Sequence, residues 1–241
     1  MTPDLRRFTM ARVGLTRAGN AISTRDLLDF QLAHARARDA VHGIFDPHAI
    51  RMEGLESLIV TSAAGNRHEY LRRPDLGRTL DQPSLRLIEK HPGPFDVVFL
   101  VGDGLSPLAV QSQAVPLLEL VTAGLGGWRI APLIVATQCR VALSDEVGAL
   151  TKSNLAVMLI GERPGLSSFD SMGVYLTWSP KPGLTDADRN CISNIRPEGL
   201  SIGAAAGLLL LLMRESRAKR LSGVSLKRGS TLTPSTLPAS S

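Results

Sequence analysis

The first segment whose residues could bind a ligand is a glycine-rich junction at residues 101–107, with the sequence VGDGLSP. It follows an apolar run, and Ser106 with Pro107 predicts the capping residue and the first position of a helix. Backbone N–H groups at such a junction can hold a phosphate. The full G-x-G-x-x-G spacing is missing, so a nicotinamide cofactor is not indicated, and a tight structural turn is the favoured interpretation.

A second junction, IGERPG at residues 160–165, directly follows the run at 155–160, which has the clearest strand pattern in the chain. If that run is a buried strand, the junction lies at the carboxyl edge of a sheet, where open α/β folds bind ligands. Two glycines and a proline build a turn that a bulky ligand can approach. Ionised Glu162 is an acceptor only, suited to ribose hydroxyls or amide N–H groups. A local ion pair of Glu162 with Arg163 is the alternative, and the position at the strand edge favours ligand binding.

A third segment, DRNCISNIRPEG at residues 188–199, interleaves small polar residues with Ile192 and Ile195. The pattern predicts an extended segment that presents amide and hydroxyl groups, which suits a ligand rimmed by neutral polar groups. Taken in isolation, Cys191 is interpreted as a small buried apolar side chain and not as a reactive thiol.

The spacing of serine, cysteine and histidine residues argues against a serine hydrolase, a disulfide framework and a metal site. Ser106 and Ser167 both lack the second glycine of the G-x-S-x-G motif of serine hydrolases. Two distant cysteines, Cys139 and Cys191, give neither a disulfide framework nor a metal motif. Asp46 is expected to cap a helix. A metal site requires grouped ligands, whereas the histidines are scattered: His34, His42, His48, His68 and His91.

The bulk composition narrows the class of protein. The chain has 241 residues, of which 44% are hydrophobic and 20% charged, as in a globular protein with a sizeable core. The net charge of +5 comes largely from basic residues near both termini, interpreted as solvated surface. The longest apolar run, residues 204–213, is about half of the roughly 20 residues that span a bilayer, and predicts a core helix. The N-terminus lacks the apolar stretch of a signal peptide, so we expect no membrane association and a cytoplasmic location.

Alternating strands and helices must position the three segments. Apolar runs predict buried strands at 58–60, 97–101, 133–136 and 155–160, a further strand at 174–178, and helices at 107–121, 145–150 and 204–220. This alternation predicts an α/β fold built on a parallel sheet with flanking helices.

The two ends of the chain follow a different pattern. Ser23, with Asp26 as its capping-box partner, predicts the start of a helix whose apolar face packs on a partner or on the main domain. The expected division is a helical N-terminal arm at residues 1–45, an α/β domain at 46–226 and a disordered tail at 227–241, which is rich in Ser, Thr and Pro.

Short motifs occur in a fixed order along the chain from about Arg12 to Val224. They are RVG and RAG within 12–19, TR and DFQLAHAR within 24–36, YLRRPDLGR at 70–78, DGLS at 103–106, IGERPGL at 160–166, DRNCISNI at 188–195 and LSGV at 221–224. In this order they resemble the small subunit of ethanolamine ammonia-lyase, and several motifs in a family's order are far more specific than any one of them.

The resemblance implies a Rossmann-like α/β domain with a helical N-terminal part, assembled with a larger TIM-barrel subunit as six copies of each. It also implies adenosylcobalamin between the two subunits, bound base-on with its own benzimidazole as the lower ligand. The segment from Asp46 to Arg51 fits this, because Arg51 replaces the glycine of the D-x-H-x-x-G motif that lends a histidine to cobalamin. The family converts ethanolamine to acetaldehyde and ammonia by radical chemistry, with the substrate site on the large subunit.

Three cobalamin contacts of the family match Val141, Glu162 and Cys191 in this sequence, while no catalytic residue and no metal ligand is assigned. The chain departs from the family pattern at Cys139, where glycine is expected before Arg140, and at Gly102, where serine is expected. The N-terminus is shorter than in enteric relatives, whose extension is linked to a shell compartment. The expected location is therefore cytoplasmic, with a bacterial microcompartment left open.

Two other functions compete with the lyase subunit. A standalone α/β module that binds a nucleotide-like ligand is equally compatible with the bare strand and helix pattern. A basic nucleic-acid-binding protein is disfavoured, because only 4% of the residues are aromatic and few rings are available to stack on bases.

Overall fold

The described chain begins with a short hairpin and a long helix. The computed structural model describes residues 13–15 and 17–229. Strands β1 (Arg17–Ala18) and β2 (Ala21–Ile22) pair antiparallel and lead into helix α1 (Thr24–His42). The basic residues and motif letters of residues 1–12 lie outside the described residues.

Helix α1 starts where the sequence predicts and buries little. Ser23 Oγ accepts a hydrogen bond from Asp26 N (3.1 Å) and donates to the Asp26 carboxylate (2.8 Å), which satisfies the first turn. Among the residues of the helix, Asp26 and Ala40 are the buried ones. Leu28 is 57% exposed and Leu32 52%, so the predicted apolar face is largely open to solvent.

A six-stranded sheet forms the centre of the fold. The five strands predicted from apolar runs are confirmed, and the extended segment predicted near Cys191 forms a sixth. The strands lie in the order β3-β5-β4-β6-β7-β8. They are β3 (Ser57–Thr61), β4 (Phe95–Gly102), β5 (Leu133–Thr137), β6 (Ser153–Gly161), β7 (Met172–Trp178) and β8 (Arg189–Ile195).

The prediction of a parallel sheet is correct for β3 to β6 and wrong for β7 and β8. Strand β7 pairs antiparallel with β6, and β8 pairs antiparallel with β7. The connections concerned, residues 162–171 and 179–188, contain no long helix. A parallel crossover needs about a dozen or more residues, so these shorter segments return the chain as hairpins.

Helices cover both faces of the sheet. They are α2 (Arg67–Arg72), α3 (Gln82–Ile88), α4 (Pro107–Ala123), α5 (Leu143–Leu150), α6 (Ile202–Lys219) and α7 (Gly223–Gly229). Three of these match the sequence prediction, α4 with Pro107 in its first turn, α5 and α6. The short helices α2, α3 and α7 were not predicted, because each has too few turns for a clear helical period.

Strand β4 shows how the sheet separates two layers of core. Val97, Phe99 and Val101 pack with residues of α4 and α6, whereas Val98 and Leu100 pack with residues of α3 and α5. All five side chains are fully buried. Because both faces are covered, the strand reads as a continuous apolar run without alternation.

The last described element runs into the predicted tail. Helix α7 ends at Gly229, and the remaining residues of the predicted tail lie outside the described residues. Within the described ranges no helix has the length and apolar character needed to cross a membrane. Helix α6 buries Ala205, Leu209 and Met213, which confirms the prediction of a core helix.

Candidate functional site

The carboxyl ends of β4, β5 and β6 meet at one edge of the sheet and form a cavity of about 380 Å³. Two of the three predicted cofactor contacts, Val141 and Glu162, line it directly. The third, Cys191, is the register partner of Tyr175, which also lines the cavity. The lining residues are Tyr70, Gly104, Leu105, Arg140, Val141, Ile160, Gly161, Glu162, Arg163 and Tyr175.

The junction after β4 is a structural turn that packs against the junction after β6. Gly104 has φ 52°, a left-handed conformation that glycine adopts without strain. A Cβ at Gly104 would collide with the Gly161 carbonyl, and one at Gly161 would collide with the Ser106 carbonyl. Leu105 N donates to Gly161 O (2.9 Å). The two glycine-rich segments singled out in the sequence therefore build one surface.

Ser106 occupies the predicted position before α4, but its side chain does not cap the helix. Its Oγ donates instead to Phe169 O (2.8 Å), in the connection between β6 and β7. The same connection is held by Gln113 Nε2, which donates to Asp170 O (2.8 Å). The hydroxyl therefore fixes the loop beyond Glu162, a tertiary contact that capping preferences do not contain.

Asp103 joins the junction after β4 to the junction after β5. Its carboxylate accepts from Gln138 N (3.1 Å) and Cys139 N (3.2 Å), and it pairs with Arg67 Nη1 (3.2 Å). Burial raises the pKa of Asp103 above its ordinary value, while the Arg67 guanidinium opposes that shift. The three contacts set the backbone path that leads to Val141.

Arg67 and Tyr70 belong to the site although their sequence positions do not indicate it. The Arg67 guanidinium also donates to Gly104 O (2.8 Å) and to Val41 O at the end of α1 (2.6 and 2.9 Å). Arg67 and Arg140 stack on the Tyr70 ring at 4.8 and 4.2 Å from its centroid, and Tyr70 Oη donates to Cys139 O (3.0 Å). These contacts join α1, α2 and two loops, and no local sequence signal indicates them.

Glu162 is held by the two segments beside it. Its Oε2 accepts from Ser171 Oγ (2.5 Å) and from Asn194 N (3.2 Å), and its own N–H donates to Ser171 O (2.9 Å). A Cβ at Gly173 would lie 2.8 Å from Glu162 Oε1, so glycine leaves the room that the carboxylate occupies. Within the described part of the chain, Glu162 forms no ion pair with Arg163, the alternative raised by the sequence.

Cys191 is exposed, so the interpretation of this residue as a buried apolar side chain is wrong. On strand β8 successive side chains point to opposite faces, and Ile192 takes the buried face while Cys191 points outward. Cys191 lies opposite Tyr175 in the register of strands β7 and β8. The pKa of Tyr175 is raised, mainly by burial and to a smaller extent by the neighbouring Cys191. The phenol is therefore protonated at neutral pH.

The two departures from the family pattern, Gly102 and Cys139, touch each other. Cys139 is fully buried, and any Cβ at Gly102 would overlap its Sγ atom. In this loop the left-handed backbone conformation that favours glycine occurs at Gln138 (φ 55°) and not at Cys139. The loop before Val141 therefore accommodates cysteine.

Of the isolated motifs, the segment at Asp46 has a structural role. Asp46 Oδ1 accepts from His48 N (2.9 Å) and caps a 3₁₀ turn (Pro47–Ala49), which confirms the capping prediction. Within the described ranges, no three His, Cys, Asp or Glu side chains form a group that could hold a metal ion.

The sequence was compared with protein families and with known proteins. The family profile described as ethanolamine ammonia-lyase light chain (EutC) matches residues 1–227. The chain is 53% identical over 233 residues to the ethanolamine ammonia-lyase small subunit of Pseudomonas paraeruginosa, covering 92% of this chain and 85% of the relative. It is 52% identical over 241 residues to the small subunit of Pseudomonas putida, covering 94% and 89%. A small subunit from Ralstonia nicotianae is 53% identical over 92% and 86% of the two chains.

Proposed function

This chain belongs to the ethanolamine ammonia-lyase light-chain family, and we propose that its cavity at the sheet edge binds adenosylcobalamin at the interface with the large subunit. Membership makes the chain a small-subunit component of a lyase. We further propose that the surface around this cavity contacts the cofactor, through the side chains named below.

The supporting observation is that residues far apart in the sequence meet at one cavity. Val141 follows β5, Glu162 follows β6 and Cys191 lies in β8, yet the first two line the same cavity and the third lies opposite Tyr175, which also lines it. Ligands of open α/β sheets collect at the carboxyl ends of the strands. The geometry thus supports a single binding site for all three.

The donor set suits the edge of a corrin ring. Such a ring is rimmed by amide side chains, and the cavity offers a carboxylate acceptor, the Tyr175 side chain, the apolar Val141 and backbone groups of Gly104 and Gly161. The cavity of about 380 Å³ is open on one side and receives only part of a cobalamin. The remainder would be covered by the large subunit, which agrees with a cofactor held between two chains.

Each residue then has a limited task. Glu162 uses Oε2 for contacts within the chain and presents Oε1 to a ligand amide. Val141 gives an apolar contact, and Cys191 with Tyr175 gives a neutral polar one. Bound adenosylcobalamin, in the base-on form, supplies the radical that starts the conversion of ethanolamine to acetaldehyde and ammonia. This chain binds and orients the cofactor, and we assign it no group at the reacting atoms.

The wider assembly is part of the same proposal. We propose a partner with a TIM-barrel fold, a complex of six copies of each subunit, and a Rossmann-like character for the α/β domain at residues 46–226 with a helical arm at 1–45. Leu28 and Leu32 on α1 expose apolar surface that a partner could cover. A cytoplasmic location, alone or inside a bacterial microcompartment, is the expected setting.

Reconstitution tests the proposal directly. The purified large subunit from the same source is assayed for acetaldehyde release from ethanolamine and adenosylcobalamin, with and without this chain. Activity that requires the chain is expected. Replacing Glu162 with alanine should raise the dissociation constant of adenosylcobalamin in the complex about tenfold or more, since a hydrogen bond to a charged group contributes about 1.5–3 kcal/mol.

A matched control uses Glu119→Ala, which removes an exposed carboxylate from the C-terminal half of α4. This variant should assemble and bind cofactor like the original chain. Unchanged affinity in Glu162→Ala would remove Glu162 from the site. A large subunit that is fully active alone, or ligand binding by this chain without a partner, would favour the standalone binding module.

A further inference from the structure

Asn194 supplies one of the two hydrogen bonds that orient Glu162, and its backbone is in an unusual conformation. Asn194 N donates to Glu162 Oε2 (3.2 Å), while Asn194 has φ 59°, in the left-handed region. Asparagine tolerates that region better than most residues, but the conformation persists only where neighbouring contacts hold it. The direction of the donated N–H therefore depends on what fixes this turn.

Arg196 fixes the turn. Its Nε donates to Asn194 Oδ1 (3.0 Å), and its backbone N–H donates to Leu200 O (3.2 Å). A Cβ at Gly199 would lie 2.8 Å from Arg196 Cγ, so glycine lets the guanidinium stem pass. The Arg196 side chain is only 7% exposed, and hydrogen bonds shielded from water in this way hold their geometry firmly.

The same guanidinium holds the other source of hydrogen bonds to Glu162. Arg196 Nη1 donates to Ser167 O (2.7 Å) and lies 3.4 Å from Asp170 Oδ1. Asp170 directly precedes Ser171, whose hydroxyl donates to Glu162 Oε2 (2.5 Å). One buried side chain therefore connects the end of β8 to the loop between β6 and β7, and each of these segments contributes one donor to Glu162.

We propose that Arg196 is a positioning residue for cofactor binding, acting through Glu162. It is not among the described residues that line the cavity of Val141 and Glu162, so its effect on a ligand there is transmitted by the two segments it joins. The inference rests on the proposed function, because it takes Glu162 as a contact to cobalamin. It adds a residue for which no local motif predicts a ligand role.

The test is a double-mutant cycle in the complex with the large subunit. Arg196→Met removes the guanidinium and keeps an unbranched stem, Glu162→Ala removes the carboxylate, and a third variant carries both. Arg214→Met is the matched control, since exposed Arg214 donates to the single carbonyl of Gly124 at the end of α4 (3.0 Å). The dissociation constant of adenosylcobalamin is measured for each complex, with hydrogen exchange of the peptide that contains Asn194.

We expect Arg196→Met to raise the dissociation constant about threefold to tenfold, the range of one lost hydrogen-bonding arrangement, and to speed exchange at Asn194. In a chain that already carries Glu162→Ala, Arg196→Met should raise the dissociation constant less than about twofold, because the carboxylate that Arg196 positions is absent. Arg214→Met should change neither quantity. If Arg196→Met prevents assembly, Arg196→Lys replaces it, since an ammonium cannot reach both Asn194 Oδ1 and Ser167 O in the same geometry.

The outcomes separate the inference from the function on which it rests. Equal effects of Arg196→Met with and without Glu162 would mean a general structural role and overturn the inference. It is also overturned if Glu162→Ala weakens binding and Arg196→Met does not. If Glu162→Ala leaves affinity unchanged, the proposed cofactor contact itself is wrong, and the positioning role falls with it.

Discussion

Replacing Gly102 with serine should destabilise the folded chain, because the space beside it is filled by Cys139. A Cβ at this position would lie well under 3.0 Å from Cys139 Sγ, closer than real Cβ contacts, and 3.4 Å from Met158 Sδ. Cys139 cannot retreat, since it is fully buried, with Sγ 3.6 Å from Ala136 O and 3.8 Å from Asp103 Oδ1. Overpacking of this kind costs about 1–3 kcal/mol.

The substitution Cys139→Gly removes volume from the same place where Gly102→Ser adds it. Cys139→Gly alone removes a buried side chain and adds backbone freedom, at a cost of about 1–2 kcal/mol. Combined with Gly102→Ser, it empties the space that the new side chain needs. The double variant should therefore be more stable than the sum of the single losses predicts, by a coupling free energy of about 1–3 kcal/mol. The overlap is a physical reason to expect glycine at 102 wherever cysteine occupies 139.

The assay is equilibrium unfolding of the purified chain in urea, with the free energy of unfolding taken at a common m-value. Gly207→Ser is the matched control, because Gly207 lies in α6 with nothing within 4 Å of a Cβ there, and it should change stability by less than about 1 kcal/mol. Strictly additive losses in the double variant, or a loss below about 0.5 kcal/mol for Gly102→Ser, would contradict the overpacking argument.

Three further predictions concern other parts of the fold. Asp145→Ala removes the carboxylate that pairs with both Nη atoms of Arg189, whose side chain is 2% exposed, and should lower the free energy of unfolding in urea by about 3–5 kcal/mol. A loss below about 1 kcal/mol, as for an exposed ion pair, would contradict this. Exchanging Leu28 and Leu32 together for serine should change stability by under about 1 kcal/mol yet weaken co-purification with the large subunit; undiminished co-purification would exclude that face. Hydrogen bonds from Thr185 lower the pKa of Asp188, so its stabilisation is present above the ordinary aspartate pKa and is lost as pH falls through the lowered value. The melting-temperature difference between the original chain and Asp188→Asn should shrink over that interval, and a constant difference would refute the assignment.

Much of the fold could be predicted because the strands carry a strong local signal. Residues such as Phe99 and Val157 lie in strands that are covered on both faces. Such strands are continuous apolar runs, which predict buried strands from the sequence alone. The directions of β7 and β8 differ from the prediction, because strand direction depends on the length and path of the connection. The exposure of Cys191 differs from it because a single cysteine carries no signal for which face of a strand it takes.

The order of seven groups of motifs along the chain was enough to identify the family, and through it the three candidate contacts Val141, Glu162 and Cys191. Only the folded chain reveals that the first two share a cavity with Tyr175, and that Arg67, Ser171 and Arg196 hold the surrounding loops. The difference arises because a hydrogen bond or a close packing contact joins residues by their distance in space. Arg196 and Ser167 are 2.7 Å apart through Nη1 and a carbonyl, yet nothing in the intervening 28 residues records that contact.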